Sequence, residues 1–157
     1  MSVFTEVPVL FTVSTFIPTM TTVPPPGQPA QYCAATITLP TTPPNHEVTL
    51  SGTAPNQLLT VNQAVKLVMS VASSVAGSTF FPIGLVIKQV GGNTDPTGRA
   101  AFPTQLVDTS RQADGSYVTT LTLWDLMPAI SNFDFLLAIE SNAGQLGVID
   151  PLINNKN

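Results

Sequence analysis

In the segment "TEVPVLFTVST", Val7, Val9, Phe11 and Val13 occupy every second position, with Pro8, Leu10, Thr12 and Ser14 between them. That period of two constrains the fold more than any other feature. Successive side chains of a strand point to opposite faces, whereas one face of a helix needs a spacing near 3.6. The same period returns along the chain: Ala35, Ile37 and Leu39; Val48 and Leu50; Leu59 and Val61; Phe81, Ile83, Leu85 and Ile87; Tyr117, Thr119, Leu121 and Leu123. The best helix candidate, "NQAVKLVMSVASSVAG", also alternates through Val65, Leu67, Met69 and Val71, and it reads as a strand. "FDFLLAIES" and "GQLGVIDPLI" follow, joined by "SNAG", whose residues suit a hairpin turn.

These runs predict roughly eight or nine strands, separated by turn chemistry in "SGTAPN", "GGNTDPTG" and "QADG". No helix lies between consecutive strands to serve as a crossover, so the expected fold is all-β, an antiparallel β-sandwich. Pro82 cannot donate to a ladder and predicts an edge position or a bulge early in its strand.

Proline divides the chain into two regimes. Nine of the 15 prolines lie within the first 44 residues, and Pro24, Pro25 and Pro26 form a stiff polyproline joint. The organisation expected is an extended N-terminal arm with its joint over residues 1–29, followed by a β-sandwich domain over 30–157. An apolar strand held away from a body needs a partner. It can fold back onto its own sheet or pair with a neighbouring subunit. The second option makes Val7, Val9, Phe11, Val13 and Phe16 the candidate intersubunit contact.

Charged residues make up 9% of the chain, against roughly 25% in ordinary soluble domains. The polar surface must therefore come largely from uncharged side chains, and Thr alone fills 21 positions. Lys66, Lys88, Arg99, Arg111 and Lys156 are scattered, which leaves no basic stripe for nucleic acid. The N-terminal 20 residues lack a basic start and are broken by polar residues and proline, the pattern of neither a signal peptide nor a membrane span.

Chemistry-bearing constellations are not evident. His46 is the single histidine, and Cys33 the single cysteine, expected as a small buried apolar residue. "DTSRQADG" places Asp108, Ser110, Gln112 and Asp114 at alternate positions. It then has Ala113 and Thr119 where a calcium loop needs Gly and Glu. Asp95 and Asp114 read as turn residues, and Asp125, Asp134, Glu140 and Asp150 are dispersed. No cofactor, metal or catalytic role is expected. Trp124, Tyr32 and Tyr117 are the aromatics available to a sugar-stacking platform, although strand aromatics usually serve a core.

From about residue 30 onward the pattern resembles an immunoglobulin-like or jelly-roll sandwich. The closing "GSYVTTLTLWDL…FDFLLAIESNAGQLGVIDPLI" is similar to the final strands of such domains. Together with the jointed arm and Thr-rich surface, it resembles the small decoration (cement) and minor capsid proteins of tailed bacteriophages. That resemblance implies a non-enzymatic virion protein on the outer capsid surface, often a trimer, bound to the major capsid protein or to its own subunits. Two other classes fit the residues: a cell-surface or filament module exchanging strands, and a carbohydrate-binding module.

Overall fold

The computed structural model describes residues 4–18, 32–40, 47–54, 57–90, 102–126, 131–150 and 152–155. Among them there are eleven strands and no helix, and the strands form two sheets. The first sheet runs in the order β2 (Ala34–Thr38), β1 (Thr5–Thr15), β5 (Val65–Ser73), β8 (Tyr117–Asp125), β7 (Gln105–Arg111). The second runs β10 (Leu146–Ile149), β9 (Ser131–Ser141), β11 (Leu152–Asn155), β4 (Leu58–Val61), β3 (Val48–Ser51), and β6 (Phe80–Val90) pairs with β9. The long β9 takes two short partners in succession, with residues 137–140 on β10 and 131–134 on β11.

The predicted alternation decides which side chains enter the core. Val7, Val9, Phe11 and Val13 of β1, Val65, Leu67 and Met69 of β5, and Leu121 and Leu123 of β8 are buried in one cluster. Leu59 and Val61 of β4 and Phe135, Leu137 and Ile139 of β9 belong to the same cluster. Phe11 meets Phe135 edge-on, 6.4 Å between centroids at 87°, so that an aromatic pair joins the two sheets.

Three expectations need correction. The first concerns the arm. β1 lies inside its sheet, antiparallel to β2 on one side and parallel to β5 on the other. Val7, Val9, Phe11 and Val13 are almost completely buried, and Phe16 stacks on Phe80 at 4.8 Å. The apolar face proposed for a neighbouring subunit is satisfied within its own chain. The stretch 19–31, including the proline joint, lies outside the described residues.

The second concerns direction. Most neighbours are antiparallel, but β1–β5 and β11–β4 are parallel. A parallel pair needs a long crossover, usually a helix. Here β3 and β4 of the opposite sheet lie between β1 and β5 in the chain and act as the crossover.

The third concerns β6. The alternation places Phe81 and Ile83 on one face with Leu85 and Ile87, yet Phe81 and Ile83 are exposed while Phe80, Pro82 and Leu85 are buried. A register shift between Pro82 and Gly84 inserts one residue and resets the alternation. The irregularity anticipated from Pro82 is what moves Ile83 to the surface.

Two substitutions test this packing. A Cβ built on Gly147 would lie 2.6 Å from Phe16 Cε2 and 2.8 Å from Cys33 Sγ, so Gly147→Ala should destabilise by about 1–3 kcal/mol. Phe11→Ala should destabilise by about 3–5 kcal/mol, since it empties the contact between the sheets. Urea denaturation reads both. A Phe11→Ala midpoint equal to wild type would restore β1 as a dispensable arm.

Candidate functional site

The residues singled out for chemistry do not come together. Cys33 is buried, with its Sγ 3.4 Å from Ile17 N and 3.5 Å from Ile17 O, and its amide donates to Val148 O. It pins the end of β1 to β10. His46, Asp95 and Arg99 lie outside the described residues. Trp124 holds Lys66 5.5 Å from its ring centroid, and Lys66 pairs with Glu6. Tyr117, seven residues from Trp124 on the same strand, points to the other face, so these two cannot share a stacking plane. Among the described residues no group of three His, Cys, Asp or Glu side chains could hold a metal ion.

Glu47 carries a role that the sequence did not suggest. Buried before β3, it accepts hydrogen bonds at Oε1 from Thr5 Oγ1 and Gln63 Nε2, and its carbonyl accepts from Asn62 N. This carboxylate ties the start of β1 to the β4–β5 connection, a structural task.

The surface feature that stands out is an apolar trough of about 610 Å³. Its floor crosses the outer face of the second sheet through Gly84, Ala138 and Val148, which are neighbours in the β6–β9–β10 register. Ile83, Val86 and Leu136 rise beside it, and Gln105 and Val107 of β7 close one end. A Cβ on Gly84 would meet nothing within 4 Å, so the notch at Gly84 is open space. None of the lining residues is charged. Val86 is 66% exposed, and Phe81 and Leu146 are exposed on the same face with Glu140 between them in the register.

The end wall contains an unusual contact. Gln105 Oε1 accepts from Leu85 N (3.0 Å), and Gln105 Nε2 donates to Leu85 O (2.8 Å). A side-chain amide carries one acceptor and donors on one planar group, so it can satisfy a residue's N–H and C=O as a neighbouring strand would. The same device recurs elsewhere. Gln57 Oε1 accepts from Ile37 N (2.6 Å) and Gln57 Nε2 donates to Ile37 O (3.0 Å), on β2 at the border of the first sheet. Each glutamine reaches from one sheet to a bordering strand of the other.

Beyond the trough, β7 and the start of β8 form a ribbon that is exposed on both faces from residue 105 to 118. Its turn is closed by Gly115 at φ 87°, with Gly115 N donating to Gln112 O. Asp114 Oδ1 accepts from both Ser116 Oγ (2.6 Å) and Ser116 N (2.9 Å). Those hydrogen bonds hold the Asp114 carboxyl below its ordinary value of 3.8.

No protein-family model matches this chain. No curated protein sequence matches it either. Among solved structures, the crystal structure of an inclusion body protein (PixA) from Burkholderia cenocepacia J2315 superposes with a TM-score of 0.56. The identity is 11%, over 99% of this chain and 96% of that one. At that identity the likeness speaks for the fold.

Two measurements follow from these contacts. Gln105→Ala leaves Leu85 N–H and C=O without their partner, which should destabilise by about 1–3 kcal/mol and speed hydrogen exchange at Leu85. Gln105→Glu, unable to donate, should recover only part of that loss. At the turn, the lowered folded pKa of Asp114 makes its contribution fully present above the unfolded value. That contribution fades as pH falls through the folded one. Protection of the Ser116 amide should therefore hold at neutral pH and decline only below about 3.8. Asp114→Asn should remove most of that dependence.

Proposed function

We propose that this chain is a non-enzymatic structural protein that works by assembly. The observation that carries the reading is the uncharged trough with exposed Val86 and Leu136 on one face of the second sheet, bordered by the row Phe81, Glu140 and Leu146. Contiguous exposed apolar surface rimmed by polar residues marks interaction sites. A chain with only 9% charged residues has little electrostatic repulsion to keep its copies apart. The facing sheets support placing it with β-sandwiches of the immunoglobulin-like or jelly-roll kind. The name of one structural neighbour, an inclusion body protein, agrees with a role in which copies accumulate together.

Capsid decoration is the same reading with a different partner, the major capsid protein, at the outer surface of a virion. A virion role needs binding to a capsid lattice. Self-assembly needs none.

The test is a double substitution on the exposed face, Val86→Lys with Leu136→Lys. Both side chains point away from the core, so the circular dichroism spectrum and melting temperature should stay near wild type. Sedimentation velocity should show the largest assemblies disappearing. If the double variant sediments as wild type does at every concentration, the trough is not the assembly surface and the reading falls.

A further inference from the structure

Edge strands invite pairing with other chains, and folded proteins usually blunt them. Four of the strands bordering these sheets are blunted in visible ways. Gln57 covers Ile37 on β2, and Gln105 covers Leu85 on β6. β3 and β10 have four residues each. β7 differs from all of them. It has seven residues, carries Asp108 and Arg111 but no proline, and pairs only with β8 among the described strands.

The direction of its free backbone groups can be worked out. In an antiparallel pair, residues facing each other alternate between those that exchange hydrogen bonds and those that do not. At the turn Gln112 N donates to Ser116 O, and at the other end Trp124 N donates to Thr104 O. Both pairs fall in the β7–β8 register, in which Gln105 faces Leu123 and Arg111 faces Tyr117. Even-numbered residues of β7 therefore bond to β8, and the N–H and C=O groups of Val107, Thr109 and Arg111 point outward. The close approach of Thr109 and Thr119 hydroxyls (2.9 Å) fits a pair that does not exchange backbone bonds.

We propose that β7 is the docking edge for β7 of a second copy of this chain, paired antiparallel about a two-fold axis at Thr109. The proposal deepens the assembly reading and rests on it. Self-complementarity selects the partner. Centring on Thr109 aligns Val107 with Arg111 of the copy, so all three outward residues exchange hydrogen bonds, on the order of six in total. It also sets Asp108 opposite Ser110. Centring on Asp108 would oppose two carboxylates, which is destabilising.

The side chains along this edge fit the same register. Leu106 lies on one face of β7 and Val107 on the other, 52% and 40% exposed. Centred on Thr109, Leu106 meets Gln112 of the copy and Val107 meets the aliphatic stem of its Arg111. Continuing the register brings the small residue Ala113 of the copy opposite Gln105, at the closed end of the trough.

Thr109→Pro tests this, because it removes an outward N–H and no backbone bond to β8; the hydroxyl contact with Thr119 is lost equally in Thr109→Val, which therefore serves as the control. Light scattering coupled to size exclusion should give wild type a smallest species of twice the 16.5 kDa chain mass. Thr109→Pro should show a smallest species at the single-chain mass with an unchanged circular dichroism spectrum, and Thr109→Val, which keeps the N–H, should keep the doubled one. Should the proline variant fail to fold, hydrogen exchange on wild type decides. Amides of Val107, Thr109 and Arg111 should be slow in concentrated protein and at least tenfold faster on dilution to single chains. Thr109→Pro that stays paired, or outward amides that exchange freely while the mass is doubled, would overturn the proposal. If Thr109→Pro stays paired while Val86→Lys with Leu136→Lys abolishes association, β7 is wrong and the assembly reading stands. If neither substitution changes the mass, both are wrong.

Discussion

β1 sits between β2 and β5 with Phe11 reaching across to Phe135, and the first sheet depends on that insertion. β1 takes its antiparallel neighbour from residues 34–38 and its parallel neighbour from residues 65–73, so the sheet closes only after the chain has visited the other layer. Contacts of that kind carry a loop-closure cost before they return any burial. The four buried residues of β1 offset it, since each full burial contributes about 1.5–3 kcal/mol. Glu47 and Cys33 fasten the two ends of the strand, the first through Thr5 and the second at Ile17.

Much of this architecture was legible in the sequence, for a physical reason. A half-buried strand must alternate, and the alternation at Val7–Val13, Val65–Met69 and Leu121–Leu123 reports directly which side chains face the core. Pro82 announced a break in β6 because its missing N–H excludes it from a regular interior ladder. Pairing partners were not legible. The pattern in "VPVLFTVST" is the same whether the strand joins its own sheet or a neighbour's, so a proline-rich joint beside it suggested an arm.

The candidate surface was hidden for a related reason. "QLVDTSR" carries no mark separating an exposed edge strand from a buried one, and burial depends on what lies opposite. The glutamine caps were equally invisible. Gln57 and Gln105 each act on a residue 20 positions earlier in a different sheet, and glutamine in a loop or strand has many ordinary uses. What could have been noticed is Gly84. A glycine two residues after a strand proline suggests a place where the sheet surface is notched.

The two kinds of edge belong to one physical situation. With so few charges, this chain cannot rely on repulsion to keep strand edges from pairing at random. Lysine at an edge is the common remedy, and β2 and β7 contain none. A glutamine amide achieves the same closure without charge, by occupying the N–H and C=O that a foreign strand would use. That closure acts at one residue and leaves the others on its strand to be protected by shortness or by the bulge. It also acts between the sheets, so each capped edge adds a polar tie across layers otherwise joined by apolar packing. Were both glutamines only general stabilisers, a third would be expected on β7, the most exposed strand of all. Among the described residues none caps β7, which makes the open edge a difference in kind, and the low charge, the selective capping and the exposed ribbon all fit the proposed association by chosen edges.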